Sequence, residues 1–327
     1  MTLIVKPTLK CQFRCEFCSA AKFDFRSSDC MEDDMWSAMV EASPDDVIVS
    51  GGDPLMMDPS FFEKLVTLRG GRVHVSATTN LWALRKDSDK WSELLHNPRF
   101  GLVTSFQYGD KRRKPNGEPY TENDFLESYR IFKDVSGGRN LDFIAVIGED
   151  NASRALDHVR LAKSLGCQCK LNAVLPLGRS TEYFPRYKLL DIYLKVLESG
   201  LGDYETNIAN RGRGMCPFSQ LGCGTGCFSC NRAIVRGADG KLKFGHCEEL
   251  MAMGVEDYGS LSEVPPHEPL RPDELIEGPK CLECPLCGFC NGCKVHRLIA
   301  KRDPSYCQEM AKYAVRAESY GFLNRHG

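Results

Sequence analysis

The sequence predicts an α/β fold with a parallel sheet, followed by a cysteine-rich region with little regular structure. Two observations predict the α/β fold. From residue 2 to about 200, short β-branched runs alternate with helical patterns. There are six such alternations, which favours parallel strands with right-handed crossovers. The third observation is a change of texture after about residue 205, where Gly and Cys replace the apolar periodicity. We therefore predict two domains, 1–205 and 206–327.

Each strand candidate is a short apolar run bounded by turn residues or by a helical pattern. In order they are TLIVKPT, DVIVSGG, VHVSATTN, GLVTSFQ, LDFIAVIG and CKLNAVLPL. The helix candidates include DSDKWSELLH, ENDFLESYRIFKDV and NASRALDHVRLAKSLG, and YKLLDIYLKVLES closes the series as an amphipathic helix. Periodicity alone leaves open whether the sheet stays open or curls toward a barrel.

The second region offers one clear hairpin, AIVRGADGKLKFG, which turns at residues 238–240. A proline-rich stretch then leads into CLECPLCGFCNGC. Such segments bury too little apolar surface to order themselves, so we expect bound metal to organise them.

Charge and hydropathy limit the classes of partner. The 327 residues include 42 basic and 44 acidic ones, a formal charge of -2, so nothing favours nucleic acid or an anionic membrane, and a nucleic-acid substrate is disfavoured. The N-terminal MTLIVKPTLK is too short for a signal peptide, and no window approaches the ~20 apolar residues of a membrane span. We expect a soluble, cytoplasmic protein with no membrane partner.

The 17 cysteines are the unusual feature. Disulfides persist mainly in oxidising compartments, so many cysteines in a chain without an export signal are better explained as metal ligands or redox centres. Eleven of them fall between Cys216 and Cys307. Cys167 and Cys169 flank a strand start and are predicted to be small core residues.

The first three cysteines, Cys11, Cys15 and Cys18, follow the first predicted strand with C-x3-C-x2-C spacing. Three thiolates so placed can hold an iron–sulfur cubane and leave one iron open to a substrate. A zinc knuckle or uncommitted thiols are the alternatives, although no fourth Cys or His follows closely, since Cys30 lies twelve residues on.

The stretch LKCQFRCEFCSAAKF resembles the cluster-binding motif of the radical SAM superfamily. In that family the open iron chelates the amino and carboxylate groups of S-adenosylmethionine (AdoMet). The resemblance implies a partial (β/α)6 TIM-like barrel for residues 1–205, and it places Phe17 near the adenine.

Further matches follow in the order that the family shows. VSGGDPL resembles the Gly-Gly-Glu-Pro element that contacts the methionine amino group, with Gly51 and Gly52 allowing close backbone approach and Asp53 one methylene shorter than the usual Glu. This contact is therefore expected to be altered or water-mediated. Weaker matches are TTN, SFQYGD with Gln107 where relatives carry Asp, and LNAVLPLGRS; they add Thr79, Asn80 and Ser105 as cofactor-binding candidates.

The repeat CLECPLCGFCNGC, Cys281 to Cys293, spaces its five cysteines three residues apart, and Cys307 follows. We call Cys281–Cys293 the cysteine repeat. A zinc ribbon uses four ligands in two pairs and leaves the others unexplained. Eleven cysteines instead fit two four-cysteine clusters with three to spare, which implies electron transfer.

This pattern resembles the SPASM extension of radical SAM enzymes that modify peptides, which holds two auxiliary 4Fe-4S clusters. Three clusters per chain are therefore expected. The resemblance implies Cys230, Cys247 and Cys293 with one of Cys223 or Cys227 for the first auxiliary cluster, and Cys281, Cys284, Cys290 and Cys307 for the second. Cys216, Cys287 and one of the Cys223/Cys227 pair are surplus, and relatives space the last pair of the repeat by three residues rather than by NG.

Glu248 follows Cys247 where anaerobic sulfatase-maturating enzymes, members of the same subfamily, carry an Asp proposed as a base. A carboxylate there can take a proton as a substrate radical is oxidised. The alternative is a solvated Glu in an acidic pair with Glu249.

The resemblance implies an oxidoreductase that cleaves AdoMet to a 5'-deoxyadenosyl radical and oxidises a ribosomally made peptide, by a thioether or carbon–carbon cross-link or by side-chain oxidation. A small metabolite or nucleic acid is the alternative substrate. An alternative from another functional class is a non-catalytic iron–sulfur electron carrier or a zinc-stabilised interaction protein. Expected partners are a peptide or protein substrate and a reductant such as flavodoxin or ferredoxin.

Because Cys11 leaves no room for a leader-peptide-binding domain, substrate capture is expected to use a separate leader-binding protein, a strand edge of this chain or a substrate without a leader.

Overall fold

The computed structural model describes residues 1–19, 33–212, 231–237, 241–265, 271–284, 286–291 and 294–320. All six predicted strands form, and each pairs in parallel with the next. They are β1 (Thr2–Thr8), β2 (Asp46–Gly51), β3 (His74–Thr79), β4 (Phe100–Ser105), β5 (Phe143–Ile147) and β6 (Cys169–Ala173). The predicted α/β class with a parallel sheet is confirmed.

The predicted hairpin also forms, as β7 (Asn231–Arg236) and β8 (Leu242–Gly245), although its turn lies outside the described residues. β7 pairs in parallel with β1, so the sheet has the order β6-β5-β4-β3-β2-β1-β7-β8. The region after residue 205 therefore extends the first sheet, and the division at 205/206 stays a prediction.

Helices connect the strands and follow the hairpin. They are α1 (Asp33–Ala42), α2 (Pro59–Val66), α3 (Leu68–Gly71), α4 (Ser92–His96), α5 (Glu122–Val135), α6 (Ala155–Leu165), α7 (Arg186–Glu198), α8 (Thr206–Gly212), α9 (Glu248–Ala252), α10 (Cys287–Asn291), α11 (Lys294–Ala300), α12 (Tyr306–Ala311) and α13 (Ala314–Ser319). DSDKWSELLH is helical over less than its predicted length, with a 3-10 turn before α4. α5 begins at a capping box between Thr121 and Asp124.

The strands alternate between two unlike faces. On the outer face, Leu3, Val5, Val47, Val49 and their counterparts join one apolar core with side chains of α1, α2 and α4 to α7. The core also takes in Cys167 and Cys169, as predicted. The inner face is more polar and partly exposed; it carries Lys6, Ser50, Ser76, Thr78, Ser105, Lys170 and Asn172. The helices that connect the six barrel strands thus pack on the outer face, which is the arrangement of a partial barrel, as expected.

α9 lies on the inner face, beside the first strand. Its residues Met251 and Ala252 pack in a small cluster with Leu9, Ala233 and Val235, against which Ile4 also packs. The chain that follows the hairpin thus returns to the side of the sheet that the barrel helices leave open.

No helix in the described part of the chain is long and apolar enough to cross a membrane.

Candidate active site

The loop after β1, residues 9–18, carries Cys11, Cys15 and Cys18, and we call it the cysteine loop. All three thiols are partly exposed and free of disulfides. Burial raises the pKa of Cys11 to about 12, and the charge of Asp53 adds to the effect. Burial also raises the pKa of Cys15, against a lowering by Arg112. Thiolates in this setting need a bound cation, and a cluster supplies one.

The cysteine loop is held by the segment that follows β4. Two backbone hydrogen bonds join the segments: Arg14 N donates to Arg113 O at 3.0 Å, and Glu16 N donates to Lys111 O at 2.9 Å. Just before these anchors Phe13 is buried, with its ring centroid 5.0 Å from that of Tyr120. The loop is therefore fixed by protein contacts alone.

A second anchor comes from the loop after β6. Arg179 N donates to Cys18 O at 3.1 Å. Gly178 has φ of +67°, and a Cβ there would lie 2.1 Å from Cys18 O. Only glycine permits this approach, which explains the glycine in the predicted LNAVLPLGRS element.

Gly51 and Gly52 form the base of the cysteine loop. A Cβ on Gly52 would lie 1.9 Å from Lys10 O, and a Cβ on Gly51, which has φ of +126°, would lie 2.2 Å from Thr8 O. Gly52 N donates to Thr8 O at 3.0 Å, and Asp53 N donates to Lys10 O at 2.7 Å. The two glycines thus dock the end of β2 directly on the start of the loop.

Asp53 is buried at the same place. Its Oδ1 accepts from Thr79 Oγ1 at 2.7 Å and from Leu55 N at 3.2 Å. Its Oδ2 is buried and accepts no hydrogen bond within the described residues. Burial raises the pKa of Asp53 to about 6. An unpaired buried carboxylate oxygen is suited to a cationic donor, and the ammonium of AdoMet is one.

The predicted Thr79 therefore touches Asp53, and Asn80 touches the cysteine loop itself. Asn80 Nδ2 lies 3.6 Å from Cys11 Sγ, and its Oδ1 accepts from Trp82 N at 2.8 Å. Ser105 lies on the inner face at the end of β4. Gln107, which replaces the expected Asp, is buried and its Oε1 has no donor among the described residues.

The sequence reasoning missed Arg112. Its side chain is buried beside the cysteine loop, and its guanidinium carbon lies 5.5 Å from the centroid of the Phe17 ring. A guanidinium here suits a carboxylate, and AdoMet carries one. The run KRRK, residues 111–114, was the available signal, but three of its four cations form surface ion pairs, and sequence does not distinguish the buried one.

Of the residues expected at the first auxiliary cluster, Cys223, Cys227, Cys230 and Cys293 lie outside the described residues, as does surplus Cys216. Cys247 is described, and its thiol donates to Glu249 Oε2 at 2.7 Å. The assignment of this ligand set stays a prediction.

All four residues expected at the second auxiliary cluster are described. Burial raises the pKa of Cys290 well above its usual value, and the charges of Cys284 and Cys307 add to the effect. Burial and the neighbouring Cys281 likewise raise the pKa of Cys287. The surplus cysteine is joined to this group through its backbone, because Cys287 N donates to Cys284 O at 2.9 Å.

In the described residues, no three His, Cys, Asp or Glu side chains lie close enough to hold a single metal ion. A cluster carries its own sulfides and separates its thiolate ligands more widely than a single ion does.

Glu248, the candidate base, lies on the inner face. Its Oε2 is 2.7 Å from Lys6 Nζ, and Ser50 Oγ donates to the same oxygen at 3.5 Å. Burial raises the pKa of Glu249, and the charge of Glu248 adds to it. Glu248 is thus not merely solvated beside Glu249: it forms an ion pair with a lysine of β1.

A sequence profile described as "Radical SAM superfamily" matches residues 5–162, which span β1 to α6. No curated protein matches the chain. Among solved structures, "Native anSMEcpe with bound AdoMet and Cp18Cys peptide" is similar with a TM-score of 0.64 and 17% sequence identity, over 98% of this chain and 97% of that one. At this identity the likeness is one of fold. The profile match and the shared fold together support the radical SAM superfamily for the barrel of this chain.

Proposed function

We propose that the protein is a radical SAM oxidoreductase that oxidatively modifies a peptide or protein. The observation that carries the proposal is the cysteine loop: three thiols fixed by the protein frame beside a buried, unpaired Asp53 oxygen. When bound, a 4Fe-4S cluster and AdoMet would supply a 5'-deoxyadenosyl radical that abstracts hydrogen from the substrate.

The residues of the cysteine loop and its base would bind different parts of the cluster and of AdoMet. Cys11, Cys15 and Cys18 would hold the cluster. Asp53 would accept from the AdoMet ammonium and Arg112 would pair with its carboxylate, so that both charged ends of the methionine moiety are fixed. Phe17, beside Arg112, would bound the adenine site.

The substrate would lie on the polar inner face. Among the described residues this side of the sheet carries no barrel helix, and the partly exposed Ser76, Thr78 and Ser105 offer hydrogen bonds to a polar chain. We favour a ribosomally made peptide as the substrate class. The solved structure that resembles this chain over nearly its whole length is described with a bound peptide. The product would be a thioether, a carbon–carbon cross-link or an oxidised side chain.

The C-terminal cysteines would hold two auxiliary clusters, divided as the resemblance implies. Glu248 would take the proton released as the substrate is oxidised, since it faces the inner side of the sheet and follows Cys247. A flavodoxin or ferredoxin would supply the first electron.

Anaerobic reconstitution followed by metal analysis and turnover tests the proposal. We expect about twelve irons per chain, and 5'-deoxyadenosine when AdoMet and dithionite are added. Zinc without iron would identify an interaction protein instead, and intact clusters without 5'-deoxyadenosine would identify an electron carrier.

The peptide claim has its own assay. Synthetic peptides with one central cysteine or serine are incubated with the reconstituted enzyme, and oxidation is read by mass spectrometry. A transfer-RNA pool and a metabolite extract run in parallel, and modification of either one alone would contradict the peptide substrate.

A further inference from the structure

One ion pair connects the strand before the cysteine loop to the helix after Cys247. Lys6 of β1 is 3% exposed, and its ammonium lies 2.7 Å from Glu248 Oε2. The Glu248 side chain keeps 21% of its surface exposed. Ser50 of β2 donates to the same oxygen.

Lys6 occupies an unusual position for a lysine. Its neighbours Val5 and Leu3 point into the outer core, so strand alternation turns Lys6 to the inner face. Burial there acts to lower the pKa of Lys6, but the attraction of Glu248 outweighs it and the pKa lies above its ordinary value. The charges of Glu249 and Cys18 act in the same direction. Because β1 leads directly into the cysteine loop and Glu248 follows Cys247, the ion pair connects these two parts of the chain.

A buried ion pair adds little net stability, because desolvation of both charges offsets most of their attraction. What such a pair does provide is a fixed geometry. Here the fixed group is the Glu248 carboxylate at the start of α9, a helix of only five residues.

We infer that Lys6 is a positioning residue that holds the Glu248 carboxylate on the inner face, aimed at a substrate bound between the cysteine loop and Cys247. The inference rests on the proposed function for the identity of the substrate. The placement of the carboxylate is independent of it, and can be measured on the reconstituted enzyme alone.

Carbodiimide chemistry measures the placement. In wild type, activation of Glu248 should give an amide cross-link to Lys6, found by peptide mass spectrometry. In Lys6→Met the cross-link is lost, and added glycinamide should label Glu248 severalfold more than in wild type, with exposed Glu63 as the internal reference. Labelling of Glu248 in wild type at the rate of Glu63, without cross-link, would overturn the inference.

The functional consequence is a loss of coupling rather than of AdoMet cleavage. In Lys6→Met we expect 5'-deoxyadenosine to form at close to the wild-type rate. The ratio of oxidised peptide to 5'-deoxyadenosine should fall by at least about tenfold. Lys6→Arg should restore the ratio. In the double variant Lys6→Met/Glu248→Gln, the loss should not exceed that of Glu248→Gln alone, because one residue acts through the other.

The matched control is Lys195→Met, which removes an exposed lysine ion-paired with Asp191 on α7. It should leave coupling and labelling unchanged. Equal coupling in wild type and Lys6→Met, or additive losses in the double variant, would contradict the inference. If wild type forms no 5'-deoxyadenosine, the proposed function fails, while the cross-link still decides the role of Lys6.

Discussion

The two groups of cysteines are built in opposite ways. The cysteine loop receives backbone hydrogen bonds from, or gives them to, loops that follow β2, β4 and β6. In the cysteine repeat, the backbone hydrogen bonds among the described residues join positions three or four apart, such as Cys284 N to Cys281 O. The first group is therefore a prepared site, whereas we expect the second to be organised by a bound cluster.

This difference follows from the sequence around each group. The cysteine loop leaves a buried strand and is surrounded by apolar and aromatic side chains such as Phe13 and Tyr120. The repeat has short helices, and α10 has only five residues. Helices this short are not stable in isolation, so bound clusters would supply the missing free energy.

The largest expected effect comes from the triple variant Cys11→Ala, Cys15→Ala, Cys18→Ala. AdoMet cleavage should fall by more than about 1000-fold, because no cluster remains to deliver the electron. About four irons per chain should be lost and the auxiliary iron kept. Iron analysis and 5'-deoxyadenosine assays check this, and loss of all iron would show that the two regions are not independent.

Gly52→Ala tests how rigid the prepared site is. The new Cβ would meet the Lys10 carbonyl oxygen at 1.9 Å, and backbone cannot move as a flexible side chain does. We expect the free energy of unfolding to fall by about 3 kcal/mol, measured by urea denaturation of the apoprotein. The matched control is Gly101→Ala, where nothing lies within 4 Å of the new methyl group. A loss of less than about 1 kcal/mol in the Gly52 variant would mean that the backbone of the cysteine loop shifts to accommodate the new methyl group.

Asp53→Asn tests the charge at the base of the loop. The dissociation constant of AdoMet should rise about tenfold or more, as expected for loss of a charged hydrogen-bond acceptor. In wild type, affinity should fall as the pH drops through about 6, where the Asp53 carboxylate takes up a proton. Calorimetry at several pH values checks both, and a pH response retained in the Asn variant would assign it to another group.

Removal of iron should affect the two regions unequally. After chelation, trypsin should cut about tenfold faster next to the cysteine repeat, at exposed Lys280, because local unfolding there is no longer opposed by a cluster. The bond after Lys111, beside the cysteine loop, should stay protected. Equal cleavage at both sites would remove the distinction between a prepared and a metal-organised site.

The smallest effect is expected for Cys287→Ala. Its thiol accepts a hydrogen bond from Asn291 Nδ2 at 3.5 Å, and four other cysteines suffice for the second auxiliary cluster. Iron content should stay at the wild-type value, whereas Cys290→Ala should cost about four irons. Iron loss in the Cys287 variant would show that Cys287 is a cluster ligand and that one of the four expected ligands is the surplus cysteine.

Sequence predicted the strands well because buried parallel strands are continuous apolar runs, and it predicted the hairpin from its turn residues. It also identified Gly52 and Asp53, since both follow directly on a strand end. It did not predict that β7 pairs with β1, because pairing between distant strands leaves no local pattern. For the same reason Lys6 and Arg112 were missed: a buried charge is recognised by its partner, and sequence does not show the partner.

The β1–β7 pairing has a consequence for how the protein is made. β1 precedes β7 in the chain by all the other barrel strands, so the edge of β1 that β7 covers has no partner while those strands are being synthesised. An open strand edge invites pairing with other chains. Lys6 and Pro7 stand on this strand, and a lysine and a proline are the residues that discourage such pairing. Both residues therefore belong to the strand whose edge has no partner until β7 has been made.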